Sequence, residues 1–243
     1  MKTKLIMDPI SAPTREDLLT TLRRTDISAP LQTEGRQKGH RERWSVCRWL
    51  STFAQSLHCA YPLKVTHRDK PDFLIEMPGK EIGAECTDAI QTDYRHVLSI
   101  VERQDDDTGI DRTLFKWGQT KSQDEKYAIA AKKKLDGPGW EGDFPEKEWA
   151  QAMRDIVNKK TTHLRAKEFV KYTENILLIY DDLRLPKDRQ ELASGYFTGK
   201  LTEYWTSGLV YDSIFVETGK VIFEFNSSGL QKTHVNDLWM TGI

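Results

Sequence analysis

Apolar and polar residues alternate most clearly on either side of residue 78. Phe73 and Ile75 alternate with Asp72, Leu74 and Glu76, and beyond Pro78-Gly79 the residues Ile82, Ala84 and Cys86 alternate with Gly83, Glu85 and Thr87. Two period-two runs separated by turn-forming residues predict a β-hairpin. With Pro78 and Gly79 as its central pair, Ile75 faces Ile82, Phe73 faces Ala84 and Asp72 faces Glu85. Upstream, Leu63 and Val65 set against Lys64 and Thr66 predict a strand over residues 61–67, giving an antiparallel meander of three. The apolar run at residues 175–181 reads as a strand covered on both faces. Residues 213–217 and 221–225 read as a second hairpin around Thr218-Gly219-Lys220.

Between these runs the spacing becomes helical. Thr14, with Asp17 three residues on, predicts an N-cap and a short helix to residue 24 that holds Leu18, Leu19 and Leu22. Val46, Cys47, Leu50, Phe53, Ala54 and Leu57 predict an amphipathic helix over residues 37–57. Tyr94, Val97, Leu98 and Val101 predict another over residues 93–102. Over residues 145–174 an apolar stripe of Trp149, Met153 and Ile156 turns basic as it passes through Lys160, Leu164, Lys167 and Lys171. Leu192, Tyr196, Leu201 and Trp205 predict a helix over residues 187–206, and Trp239 is expected to dock the tail. The pattern is that of an α/β (α+β) protein, a mixed central sheet of about four or more strands flanked by helices. Residues 1–36 read as an arm and a short helix. Residues 37–243 read as a single domain, with an insertion of helical pieces at about residues 104–145 that forms a substrate-facing loop.

Composition narrows the class. Charged residues make up 30% of the chain and the hydrophobic class 38%, with a mean hydropathy of -0.62. No run approaches a membrane span, and Leu5-Ile6-Met7 is too short for a signal segment, so a cytoplasmic protein without membrane partners is expected. The 3 cysteines lack C-x-x-C spacing, and Cys47 and Cys86 read as small buried residues. A formal net charge of -1 decides nothing about nucleic acid, because binding needs a local basic surface. Three such clusters exist: Arg36, Lys38, Arg41, Arg43 and Arg48; residues 132–134; and Arg154, Lys159, Lys160, Arg165, Lys167 and Lys171. Each reads either as a solvated face or as phosphate contact. P-loop, G-x-G-x-x-G, G-x-S-x-G and H-E-x-x-H patterns are absent. The histidines lack ligand spacing, although His67 and His163 fall near the hairpin and the basic stripe.

The candidate chemistry lies in the hairpin. Opposed side chains in an antiparallel pair stand about 4.5 to 5.5 Å apart, so Asp72 and Glu85 repel unless a cation lies between them, and a hard divalent ion with oxygen ligands meets that need. A solvated acid pair is the alternative, as for Glu76 and Glu81 nearer the turn. Glu42 lies on the inward stripe of its helix, four residues before Val46. It is either a third site acid or half of a salt bridge near the helix start.

Pro71-Asp72, the short hairpin and Ile82-Gly83-Ala84-Glu85-Cys86-Thr87 together resemble the PD-(D/E)xK nuclease superfamily, the restriction-endonuclease-like fold. The order helix, three-strand meander, helix, buried strand over residues 37–182 is similar to that fold's core. The resemblance implies that Asp72, Glu85 and the backbone carbonyl of Cys86 bind Mg²⁺, or Mn²⁺ in its place. It also implies that the helix before the hairpin supplies a further acid, here Glu42. The motif's final lysine is missing. Thr87 occupies its position, so the lysine comes from another element or catalysis has been lost. Lys160, with Lys167 second, is the candidate, and each also reads as a stem lying over apolar surface. The implied activity is metal-dependent DNA endonuclease, in restriction, defence, repair or element mobility, with a homodimer for double-strand cleavage. The alternative is an inactive module of the same fold that binds nucleic acid or a protein.

Overall fold

Strand β5 (Glu174–Asp181) shows why its run is apolar throughout. Ile176 and Leu178 pack into one core while Leu177 and Ile179 pack into another on the opposite face. In this computed structural model, which describes residues 5–31, 34–103, 109–132, 135–183 and 189–239, β5 lies within a mixed eight-stranded sheet whose strands follow chain order. The others are β1 (Ile10–Ala12), β2 (Leu63–His67), β3 (Phe73–Met77), β4 (Lys80–Ala89), β6 (Ser213–Thr218), β7 (Val221–Asn226) and β8 (Gly229–His234). β4, β5 and β6 run parallel, and the flanking pairs are antiparallel. Parallel neighbours need crossovers. Helices α3 (Thr92–Glu102), α4 (Gln123–Lys132) and α5 (Phe144–Leu164) lie between β4 and β5, and α6 (Gln190–Leu201) lies between β5 and β6. Before the meander come α1 (Arg15–Arg24), capped by Thr14 accepting from the Asp17 amide, and α2 (Lys38–Phe53).

Helices α1 and α2 cover one face of the sheet through Leu18, Leu22, Val46 and Leu50, and α5 and α6 cover the other through Trp149, Met153, Val157 and Phe197. The hairpin register is Phe73 with Ala84, Ile75 with Ile82 and Met77 with Lys80, with Gly79 taking the positive φ of the turn. One mismatch in length matters. β3 starts at Phe73, opposite Ala84, whereas β4 continues to Ala89. Residues 85–89 therefore keep β5 on one side and, among the described residues, have no strand on the other.

Several boundaries depart from the periodicity. α2 stops at Phe53, so Leu57 is fully exposed rather than inward. α5 stops at Leu164 rather than reaching residue 174. Arg165 turns aside to donate to the carbonyls of Ser207 and Leu209, and Phe169 folds back into the core. Lys167 and Lys171 therefore leave the helix. In α6 the buried stripe is Ala193, Phe197 and Leu201, one residue out of phase with Leu192, which is exposed. The expected start of that helix at residue 187 lies outside the described residues, as do residues 133–134 of the second basic cluster. The insertion is more than a loop: a 3-10 turn (Arg112–Leu114) and α4 bring Phe115 and Ala130 onto Tyr94 and Val97 of α3. Trp239 docks the tail, its indole N–H donating to the Thr25 carbonyl. No helix among the described residues is long and apolar enough to cross a membrane.

Arg48, grouped in sequence with a basic cluster, instead ties the layers together. It is buried and donates to Glu217 Oε1 and Asp237 Oδ2, each at 2.5 Å. Removing one partner of a buried pair leaves the other charge uncompensated. Arg48→Met is therefore expected to lower the unfolding free energy by about 3 kcal/mol in urea titration. Leu57→Ala is expected to stay within about 0.5 kcal/mol of the parent.

Candidate active site

The site begins with one peptide unit. Beyond the end of β3, the backbone of Cys86 has no strand partner on that side, and buried backbone groups must be paired. Its N–H donates to Asp72 Oδ2 at 2.8 Å, and its carbonyl accepts from Lys160 Nζ at 3.2 Å. Lys160 also donates to Glu85 Oε1 at 2.8 Å. One carboxylate from the residue before β3, one from β4 and one ammonium from α5 thus meet around the Cys86 peptide. Lys160 is held in place by its own helix: its carbonyl accepts from the Tyr211 hydroxyl, and neighbouring Thr161 bonds the Tyr204 hydroxyl.

Helix α2 completes the site from the other face. Lys38 Nζ lies 2.8 Å from Asp72 Oδ1 and 2.5 Å from Glu42 Oε1, the latter an ion pair outside hydrogen-bond geometry. Glu42 Oε2 is 2.9 Å from His67 Nε2. Because His67 Nδ1 accepts the Met7 amide at 2.9 Å, Nε2 carries the proton and donates to Glu42. Glu42 therefore does face the site, and it does so already held by a lysine and a histidine.

The electrostatics separate the acids. Asp72 is fully buried, and burial first, then the Glu85 and Glu42 carboxylates, push its pKa up to about 7 against the pull of Lys38. Burial also works against Glu42, but the hydrogen bond from His67 and the ion pair with Lys38 outweigh it and draw its pKa down to about 2. For Lys38, burial of its ammonium is outweighed by Asp72 and Glu42, which hold its pKa above the ordinary value. The Cys86 thiol is pushed well up by burial and then by Asp72 and Glu42, so this residue contributes its carbonyl and not its sulfur.

Lys38, Glu42, Cys86 and Lys160 line a cleft of about 370 Å³ whose walls also include Arg36, Arg41, Thr87, Asp88 and Arg95; Asp72 and Glu85 are buried and are not among its lining residues. Of the basic clusters marked in sequence, the first is divided. Arg36, Lys38 and Arg41 line the cleft, Arg43 turns to Ser28 and Asp26, and Arg48 is structural. Of the third cluster, Lys160 alone is among the cleft's lining residues, while Lys167 is exposed and His163 sits on the outer face of α5. Sequence reading missed Lys38 as a site residue; its only local signal is the i, i+4 spacing to Glu42. Arg95 carried no signal at all, because its place depends on how α3 returns over β4.

Among the described residues, no three His, Cys, Asp or Glu side chains form a ready-made metal cage. The donors available are two carboxylates and one carbonyl, all oxygen, as a hard cation prefers. Glu85 Oε2 is buried and has no hydrogen-bond partner among the described residues. An orphaned carboxylate oxygen beside a second carboxylate fits a divalent ion. No family model, curated protein or solved structure matches the chain.

Mutual repulsion in the absence of metal has a stability consequence. A carboxyl whose folded pKa is raised contributes stability that is complete below its unfolded value of 3.8 and is lost as pH rises through about 7. In EDTA, Asp72→Asn is expected to remove that decline and to melt higher than the parent at pH 8, by about 1 kcal/mol. The check is a series of thermal melts from pH 4 to 8.

Proposed function

We propose that this protein is a metal-dependent nuclease that hydrolyses phosphodiester bonds in DNA, built on a restriction-endonuclease-like core, with Lys160 in the role that Thr87 cannot fill. The observation that carries this reading is the position of Lys160 Nζ, 2.8 Å from Glu85 and 3.2 Å from the Cys86 carbonyl. An ammonium from α5 reaches the point at which the hairpin motif lacks its cation. The strand and helix order around β2–β5 supports the same core, and the cationic wall of the cleft suits a phosphate backbone.

Asp72, Glu85 and the Cys86 carbonyl would hold Mg²⁺ or Mn²⁺. When bound, such an ion lowers the pKa of a water molecule and offsets charge on the phosphoryl oxygens. Lys160 stabilises the negative charge that develops on the phosphate in the transition state. Glu42, kept ionised by His67, orients Lys38 toward Asp72 and the mouth of the cleft. A second reading rests on one specific observation: Lys38 and Lys160 already neutralise Asp72 and Glu85 without a metal. A site whose charges are paired in this way suits an inactive module that binds nucleic acid or a protein.

Nicking or linearisation of supercoiled plasmid with Mg²⁺ or Mn²⁺ separates the two readings. The nuclease reading expects metal-dependent cleavage that falls by about 10²-fold or more in Asp72→Ala and in Glu85→Ala. Direct linearisation, without accumulation of nicked circles, is the outcome expected of a homodimer. DNA binding with no cleavage under either metal would favour the inactive module.

A further inference from the structure

The cleft extends beyond the Cys86 peptide, and its far end is built differently. Arg36 lies just before α2, Arg41 in its first turn, and Arg95 in the first turns of α3. Arg41 Nη1 and Arg95 Nη2 share Asp88 Oδ2 at 3.3 and 3.2 Å. Arg41 also lies 3.7 Å from Asp182, which in turn takes Arg112 through its backbone carbonyl and, more distantly, its carboxylate. Arg41, Arg95 and Arg112 therefore share two carboxylates, Arg36 lines the same cleft with its Nε donating to the Pro30 carbonyl, and Lys38 and Lys160 are committed to Asp72, Glu42 and Glu85. The neighbouring guanidiniums are felt locally. Burial first, and then repulsion from Arg41 and Arg36, hold the Arg95 pKa below its ordinary value, opposed by Asp88 and Asp182. Guanidiniums brought together against their mutual repulsion, in a cleft with room for more than a bare ion, call for an anion with several oxygens. Their planar fork matches phosphate.

We propose that Arg36, Arg41 and Arg95 grip a second phosphate of the nucleic-acid strand, beside the phosphate presented to Asp72, Glu85 and Lys160. The identity of the ligand rests on the nucleic-acid reading above, but the grip itself does not depend on cleavage. Arg41, about one-fifth exposed and facing the Tyr180 ring at 5.8 Å, forms the fixed base. Arg95, 43% exposed, forms the outer arm. Asp88 keeps both in place until the phosphate arrives. The phosphate is either an internal phosphodiester or a terminal phosphomonoester, and the two differ in whether a strand end is required.

The test uses the full chain in EDTA, so that cleavage plays no part. Fluorescence anisotropy follows a 3′-labelled single-stranded DNA 12-mer carrying either a 5′-phosphate or a 5′-hydroxyl, across a range of salt. Arg36→Gln and Arg95→Gln avoid the central arginine, and thermal melts confirm that each variant is folded. Each substitution is expected to weaken binding about tenfold and to reduce the slope of log affinity against log salt by about one. Arg95→Lys, which keeps the charge and loses the fork, is expected to fall between. Equal losses on both oligonucleotides assign the grip to an internal phosphodiester. A loss confined to the 5′-phosphorylated strand assigns it to a terminal phosphate. Unchanged affinity and slope in both glutamine variants, or no binding by the parent protein, overturns the proposal. Arginine-dependent binding by a protein that never cleaves plasmid would sustain this inference while removing the nuclease reading.

Discussion

Strand β4 outruns its antiparallel neighbour, and everything at the candidate site follows from the peptide group this leaves without a ladder. β3 ends its pairing at Phe73 with Ala84, so the Cys86 N–H and carbonyl must find partners outside the sheet. They find the Asp72 carboxylate on one side and the Lys160 ammonium on the other. Satisfying one backbone unit thus brings together residues 14 and 74 positions away in the chain. The parallel pairing of β4 with β5 makes this possible, because its crossover carries α5, and with it Lys160, back across the sheet.

Charge balance sets the rest of the arrangement. Asp72, Glu85 and Glu42 converge in a buried region, where like charges are costly unless each has a compensating partner. Lys38 and Lys160 supply cations from opposite faces of the sheet, and the His67 N–H satisfies Glu42. Among the described residues, Glu85 Oε2 has no hydrogen-bond partner, and Glu42 Oε1 has only its ion pair with Lys38. Removing one partner of such a buried charged cluster leaves the others uncompensated, so the acids and lysines depend on one another.

Much of this was legible in the chain because it is local. The hairpin register follows from Pro78-Gly79 and the alternation of Phe73, Ile75, Ile82 and Ala84, but the ladder stops at Phe73 with Ala84, so Asp72 does not pair with Glu85 as its extension implied and instead accepts from the Cys86 N–H. Lys160 was legible because an apolar stripe that turns basic must carry its lysines toward the same face. Where the helix would stop was not legible. Arg165 leaves α5 to bind carbonyls some forty residues away in sequence, so Lys167 and Lys171 fell off a stripe that periodicity alone continued. Lys38 was hidden for a similar reason: its partner Asp72 lies in a loop that only the fold brings to the start of α2. β8 was missed because an edge strand of exposed polar residues carries no alternation, and β1 because three residues are too few to show a period.

In the proposed nuclease, Lys160 would do from a helix what the hairpin's own lysine would do at position 87. Thr87 lines the same cleft and lies two residues beyond Glu85 on β4, so its side chain projects from the same face of the strand. The most direct measurement is the Mg²⁺-dependent plasmid cleavage rate of Lys160→Ala, with and without Thr87→Lys. The account predicts a loss of about 10²-fold in the single variant and recovery of at least about tenfold in the double. Cleavage at the parental rate by Lys160→Ala would contradict it.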